Sequence, residues 1–305
     1  MMATVCANIA VNTLDGGYTS METRVSSATR EVLISYAQPT VLIGEHINPT
    51  GREKLAISLE SGDMEIVRRL ALAQVKAGAD ILDVNVGMPG VDEIALLPQV
   101  VQAVMETVDV PLCFDSDNPG ALEAALKIYR GRPIVSSVTG QEQSLREVLP
   151  LVKEYGAAVV ALTMDDEGVP ADPDKRVAIA HRIVDRAEAV GIPREDIIVD
   201  CLVLAVSTDS GAGLVTLEAV RRVKSELGVN QTLGASNVSY GLPQRDVLND
   251  AFLAMAVTAG VTCPILNVAR ARRAVLATDL LLGRDRYAQH YIKAYRQRQG
   301  KQKLE

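Results

Sequence analysis

The stretch ADILDVNVGMPG (Ala79–Gly90) opens as an interior β-strand: Ile81, Leu82, Val84 and Val86 are apolar, yet Asp83 and Asn85 interrupt them. Burying a carboxylate or a carboxamide without a partner is unfavourable, so a strand with two such groups at its far end needs a reason for them. The helix-patterned segment MEIVRRLALAQVKAG (Met64–Gly78) stands in front of it. Together they form one unit of a series that recurs from about residue 41 to 282: a short β-branched run, a polar or Gly/Pro turn, then an amphipathic stretch.

The other strand candidates are VLIGE (Val41–Glu45), PLCFD (Pro111–Asp115), PIVSS (Pro133–Ser137), AVVALT (Ala158–Thr163), IIVD (Ile197–Asp200), TLGAS (Thr232–Ser236) and CPILN (Cys263–Asn267). LEAVRRVKSELG (Leu217–Gly228) reads as a helix stopped by its glycine. Strands alternating with helices imply a parallel sheet, and about eight units imply a closed (β/α)8 TIM barrel. An open doubly wound sheet is the other option, but GAG at Gly211–Gly213 is a lone GxG rather than a dinucleotide fingerprint, and there is no P-loop or GxSxG elbow. Residues 1–40 form an N-terminal extension, in which METRVSS (Met21–Ser27) and REVLISY (Arg30–Tyr36) are expected to pair as a hairpin under the barrel. The barrel occupies 41–305 and ends in a basic helix over 284–299.

The 305 residues are 48% hydrophobic and 23% charged, ordinary for a soluble globular chain. A net charge of -7 argues against nucleic acid as a partner. No run is long and apolar enough for a membrane span. The first residues lack the basic start of a secretory signal, so a cytoplasmic location is expected. Cys6, Cys113, Cys201 and Cys263 lie far apart, and His46, His181 and His290 show no HExxH spacing. Structural zinc and a disulfide framework are therefore not expected.

In a barrel of this kind the chemistry sits where strands end. Those ends carry Glu45, Asp83 with Asn85, Asp115, Ser136, Thr163, Asp200, Asn237 and Asn267, with no lysine or arginine among them. Taken singly, Asp and Asn at such places often cap the next helix, and Asp115 or Asn118 would serve as caps or turn residues. Taken together they make a mouth rich in acceptors and amides. A hard cation held by Glu45, Asp83 and Asp115 is one use, as in a metal-dependent aldolase. A flat heterocycle with several N–H donors fits better, because a carboxylate accepts two N–H groups from a guanidine-like edge. A pterin or a guanine presents that edge.

VLIGEHINPTG, ILDVNVG, LCFDSDN, ALTMDDEGVP, VDCLVL and GASNVSYGLPQR, in this order, resemble the methyltetrahydrofolate:corrinoid-protein methyltransferases, relatives of the folate domain of cobalamin-dependent methionine synthase and, more distantly, of the dihydropteroate synthases. The resemblance covers most of the chain from Val41. It implies a pterin-binding barrel, usually a homodimer. Such a barrel moves a methyl group between N5 of tetrahydrofolate and the cobalt of a corrinoid on a separate protein. It implies that Asp115 and Asp200 grip the pterin edge, that Asp83 and Asn85 line the floor, and that Asn237 is the catalytic residue facing the methyl-bearing nitrogen. Glu45, Tyr240 and Arg245 would lie beside the folate. Ser136 stands where acetogen-type members carry an asparagine, so that contact would be lost or made through water.

The resemblance requires no metal in this chain. Lacking a DxHxxG signature, the sequence is expected to meet its corrinoid on a partner. A dihydropteroate synthase-like activity fits less well, since that family uses basic groups near a pyrophosphate. A non-catalytic folate-binding barrel is the alternative from another class.

Overall fold

The computed structural model describes residues 21–302. Two antiparallel strands come first, β1 (Thr23–Ser26) and β2 (Glu31–Ile34). Eight parallel strands follow: β3 (Ile43–Ile47), β4 (Ile81–Asn85), β5 (Leu112–Asp115), β6 (Ile134–Thr139), β7 (Ala158–Leu162), β8 (Ile197–Asp200), β9 (Asn230–Thr232) and β10 (Ile265–Leu266). The helices are α1 (Glu53–Glu60), α2 (Glu65–Ala77), α3 (Glu93–Met105), α4 (Pro119–Ile128), α5 (Glu142–Tyr155), α6 (Pro173–Ala189), α7 (Ala212–Glu226), α8 (Arg245–Ala259), α9 (Val268–Leu281) and α10 (Gln289–Gln302). The strand order is β10-β3-β4-β5-β6-β7-β8-β9. The Ile265 N–H donating to Leu233 O (3.0 Å) and the Thr262 N–H to Gln231 O (2.9 Å) bring β9 and β10 together, closing the barrel. This is the (β/α)8 barrel that the alternating pattern implies.

The inward positions repeat every second residue, as the strand pleat requires. Their early members, Ile43, Ile81, Cys113, Ile134 and Ile198, form an inner apolar cluster. Val25, Val32 and Ile34 of the hairpin join that cluster from below. The hairpin is tied to strand beginnings: Ser26 N–H donates to Arg132 O (2.8 Å), and Asn230 Nδ2 donates to Thr23 Oγ1 (2.9 Å) and Ile34 O (3.0 Å). A second, larger cluster packs helices on the outside of the sheet. Gly44 lets β3 pass close to α2, where an added Cβ would lie 2.5 Å from Gln74 Oε1.

Three boundaries differ from the sequence pattern. The seventh barrel strand is Asn230–Thr232, and the expected segment Thr232–Ser236 instead turns at Gly234 into a 3-10 helix over Ala235–Ser239. Asn230, Gln231 and Thr232 lack the apolar signal of a strand because long-range partners take up their side-chain donors: the hairpin, Tyr36 and the Cys263 carbonyl. The first barrel strand runs Ile43–Ile47, two residues later than Val41–Glu45. The last helix begins at Gln289 rather than 284, because Asp285 accepts the N–H groups of His290 (3.0 Å) and Tyr291 (2.9 Å). Residues 1–20 of the expected extension lie outside the described residues.

Candidate active site at the barrel mouth

The inner face that is apolar at the base becomes polar at the top. Ile43 is followed two residues on by Glu45, Ile81 by Asp83 and Asn85, Cys113 by Asp115, Ile134 by Ser136, and Ile198 by Asp200. Sheet register sets Asn85 beside Asp115, and Asp115 beside Ser136. Asn85 Nδ2 donates to Asp115 Oδ2 (2.9 Å), while its Oδ1 accepts the Gly87 N–H (2.8 Å), so neighbours on both sides fix the amide.

Helix capping does not account for these acids. Asp92 caps α3, Asn118 caps α4 and Asp172 caps α6, each with its side-chain oxygen on the first-turn N–H groups. All three caps lie in the loops, past the strand ends. Asp83 and Asp115 carry no such duty. Asp200 commits one oxygen, Oδ1, to the Leu202 N–H (2.6 Å).

Burial raises every one of these carboxyls. Asp83 is held well above the usual carboxylate range, by desolvation first and by the neighbouring Asp115 charge second; the Cys113 thiol works the other way. Burial likewise raises Asp115, against the Asn85 amide, and Asp117 and Glu93 add to the rise. Asp200 is pushed up to about 7 by desolvation, with the Leu202 N–H and Arg176 opposing. Glu45 is raised by burial against Arg52, Arg245 and the Ser236 hydroxyl. Three atoms at strand ends, Asp83 Oδ1, Thr163 Oγ1 and Asn267 Oδ1, are buried with no hydrogen-bond partner. Unpaired acceptors at strand ends suit a ligand that brings its own N–H donors.

Asn237, Tyr240 and Arg245 stand apart from this floor. Asn237 and Tyr240 are exposed on the rim. Arg245 donates from Nε to Ser239 Oγ (3.0 Å) and from Nη2 to the Ser236 carbonyl (2.7 Å), and its guanidinium lies 5.9 Å from the Tyr240 ring centroid. It thus braces the short helical turn that carries Asn237. Glu45 and Arg245 also line a cavity of about 200 Å³ with Ser236, Asn249, Asn267 and Arg270. Asp83, Asn85, Asp115, Ser136 and Asp200 thus lie together at the strand ends as a candidate floor, with Glu45 and Arg245 lining a cavity beside them and Asn237 and Tyr240 exposed on the adjoining loop.

Sequence reasoning missed Arg176. It is fully buried on α6 and donates to Pro170 O (2.7 Å), Cys201 O (2.8 Å) and Leu202 O (2.8 Å). It fixes the loop that leaves Asp200, where Leu202 takes a left-handed backbone (φ 56). The signal was present: Arg176 shares an apolar stripe with Ala180, Ile183 and Ala187 at helical spacing. Among the described residues, no group of three or more His, Cys, Asp or Glu side chains is arranged to hold a metal ion. None of their helices is long and apolar enough to cross a membrane.

The pattern of the pterin binding enzyme family matches residues 44–267, from β3 to the end of β10. The chain belongs to this family. A methylcorrinoid:tetrahydrofolate methyltransferase of Eubacterium limosum is 31% identical to it over 267 residues, covering 84% of this chain and 96% of the relative. A methionine synthase of Mycobacterium tuberculosis is 31% identical over 264 residues, covering 82% of this chain but only 22% of that longer relative. Pterin-binding enzymes of known structure share the fold. The dihydropteroate synthase of Yersinia pestis superposes with a TM-score of 0.64 at 14% identity, covering 86% of this chain and 99% of that one. The Xanthomonas albilineans dihydropteroate synthase in complex with 7,8-dihydropteroate gives 0.63 at 19% identity, covering 85% and 98%.

Proposed function

We propose that this protein is a methyltransferase that moves a methyl group between N5 of tetrahydrofolate and the cobalt of a corrinoid carried by a separate protein. The observation that carries the reading is the set of buried strand-end carboxyls and unpaired acceptors, in a chain 31% identical to a methylcorrinoid:tetrahydrofolate methyltransferase along nearly the whole of that relative. Asp115 and Asp200 accept the N–H groups along the 2-amino edge of the pterin. Asp83 and Asn85 form the floor beneath it, and Ser136 completes the fourth-strand contact.

In the direction of methyl acceptance, the N5 lone pair attacks the methyl carbon. The electron pair of the cobalt–carbon bond stays with the corrinoid, and N5 gives up its proton. In the reverse direction N5 must be protonated or strongly hydrogen-bonded before it can leave. Asn237 meets both needs, because a carboxamide donates and accepts. No histidine is required at that point. Arg245 and Tyr240 hold the Asn237 turn, and Glu45 completes the wall. Orientation of the methyl between the two reacting atoms supplies much of the remaining rate.

The same reading includes a homodimer, a cytoplasmic location, no metal bound by this chain, and an extension over 1–40 ahead of a barrel over 41–305. Sedimentation tests the dimer, for which the exposed Tyr287, Tyr291, Ile292 and Tyr295 beside and on α10 are candidate contacts. Calorimetric titration with tetrahydrofolate tests the site: wild type binds, and Asp200→Ala binds weakly or not at all. Absence of binding to the purified wild type would remove the reading. Binding of tetrahydrofolate without methyl transfer to it from methylcob(III)alamin would leave a non-catalytic folate-binding barrel.

A further inference from the structure

Arg176, in the first turn of α6, is charged where a bracing role does not ask for charge. It is fully buried, as are Cys201 and Thr216 beside it. Among the described residues its donors meet neutral oxygens only: Nε reaches Pro170 O, and Nη1 reaches Cys201 O, Leu202 O and Thr216 Oγ1 (3.2 Å). Its Nη2 has no hydrogen-bond partner. One side chain thus joins the loop after β7, the loop after β8 and α7. Burying a charge without a counter-ion against it is costly. A neutral amide would brace carbonyls at less cost, so the charge needs a second reason.

That reason lies beside the carbonyls it holds. Asp200 ends β8, and its Oδ1 accepts the Leu202 N–H (2.6 Å), which leaves Oδ2 for a ligand. The bond forms with Leu202 turned left-handed (φ 56), a conformation that residues with a Cβ adopt at a cost. Arg176 holds that turn from the other side, and Thr216 Oγ1 adds a bond to Leu202 O (2.9 Å). The guanidinium charge also acts on the carboxyl, opposing the rise that burial imposes on Asp200. The flanking strands β7 and β9 contain no titratable side chain. The nearby Cys201 and Cys263 thiols are pushed up by burial and stay neutral. Other charged groups of α6 and α7 pair on the outside, His181 with Glu226 and Arg221 with Glu218. The anchored loop is in turn stitched to the one that carries Asn237: Val206 N–H donates to Val238 O (3.0 Å) and Ser207 Oγ to Tyr240 O (2.6 Å).

We propose that Arg176 is the positioning residue for Asp200 and acts in two separable ways: its fork sets the Leu202 turn that aims the carboxyl, and its charge keeps that carboxyl an acceptor. The inference rests on the function proposed above and adds a residue that itself touches no substrate. Lysine supplies the charge without the planar fork, and glutamine supplies neither the charge nor the full fork.

The test is tetrahydrofolate affinity, read by calorimetry between pH 5.5 and 8.5. Arg176→Lys lowers affinity about tenfold at every pH and keeps the wild-type midpoint. Leu202→Gly, which takes the left-handed turn without strain, restores at least half of that loss on a logarithmic scale when added to Arg176→Lys. Arg176→Gln moves the midpoint up by about one pH unit, because the carboxyl then ionises later. Asp200→Asn lacks that midpoint. Wild-type affinity and midpoint in both Arg176 variants overturn the role and leave the proposed function standing. So does an equal loss in the two variants at one shared midpoint, with no rescue by Leu202→Gly, which would make Arg176 a packing residue. Should Arg176→Gln fail to fold, Arg176→Lys with and without Leu202→Gly still decides: no loss, or a loss without rescue, overturns the role. Failure of the wild type to bind tetrahydrofolate removes the function, and this role with it.

Discussion

The two ends of the barrel use buried polar side chains differently. At the base most polar side chains are tied to the chain: Asn230 Nδ2 donates to Thr23 and Ile34, though its Oδ1 has no partner, Gln231 Nε2 donates to Tyr36 Oη (3.1 Å) and the Val220 carbonyl (3.0 Å), and Asp279 accepts from the Thr40 N–H and hydroxyl (both 2.8 Å). At the mouth, Asp83 Oδ1, Thr163 Oγ1 and Asn267 Oδ1 have no partner, and the carboxyls around them are raised by burial. A satisfied buried group holds structure together, whereas an unsatisfied one is a standing cost that a ligand can relieve. The polar groups of the base mainly hold the fold together, and those of the mouth are the ones the proposed function puts to binding.

Substitutions at each end can break that division. The largest effect is expected at the rim: Asn237→Ala lowers methyl turnover by about 10²–10³-fold while the melting temperature holds, measured by exchange with methylcob(III)alamin and by calorimetric melting. Next comes the base. Asn230→Ala removes two strong donations and strands Thr23 and Ile34, lowering unfolding free energy by about 2–3 kcal/mol in urea titrations and leaving tetrahydrofolate affinity unchanged. A change in affinity of the same size would show that the ends are not independent. Asp200→Asn keeps the shape but turns an acceptor into a donor against the pterin edge, so affinity falls by about 10–100-fold.

The smallest effect is a slope with pH. The folded Asp200 carboxyl, near 7, lies above its unfolded value of about 3.9. The native state therefore holds this proton when the unfolded state has lost it. The associated stability is complete below about pH 4 and is lost as pH rises to about 7. Wild type should thus lose stability over that window, and Asp200→Asn should lose less. Tetrahydrofolate binding runs the other way. The ionised carboxylate is the better acceptor, so affinity rises with pH up to about 7 and then levels, with proton release detectable in buffers of different ionisation enthalpy.

Much of this was legible in the chain because local chemistry and global fold agree in the barrel units. Alternating β-branched runs and amphipathic stretches gave the topology. The acids at the strand ends were visible too, since Asp83, Asp115 and Asp200 each break an apolar run. Their separation from the helix caps was not. Asp92, Asn118 and Asp172 are the same residue types in the neighbouring loops, and only the geometry shows which group turns to a helix and which to the mouth. β9 was hidden for a different reason. Its polar residues are paid for by partners distant in sequence, Thr23, Ile34 and Tyr36 among them, which no local pattern contains. Arg176 looked like one more charged residue on a helix, and its carbonyl partners across the fold are what make it a brace for the loop after Asp200.

The tie between the loops after β8 and β9 has a consequence for kinetic order. The loops that follow Asp200 and carry Asn237 form one stitched wall, so on the proposed function folate and corrinoid meet at a single body. A ping-pong course would park the methyl on an enzyme nucleophile, commonly a thiolate. The described cysteines, Cys113, Cys201 and Cys263, are buried, and desolvation pushes all three thiols up, Cys263 to about 12. On the proposed function the protein is then a meeting place for its two substrates. Initial-rate lines at varied folate and corrinoid should intersect, and radiolabelled methyl should never remain with the chain after either substrate is removed.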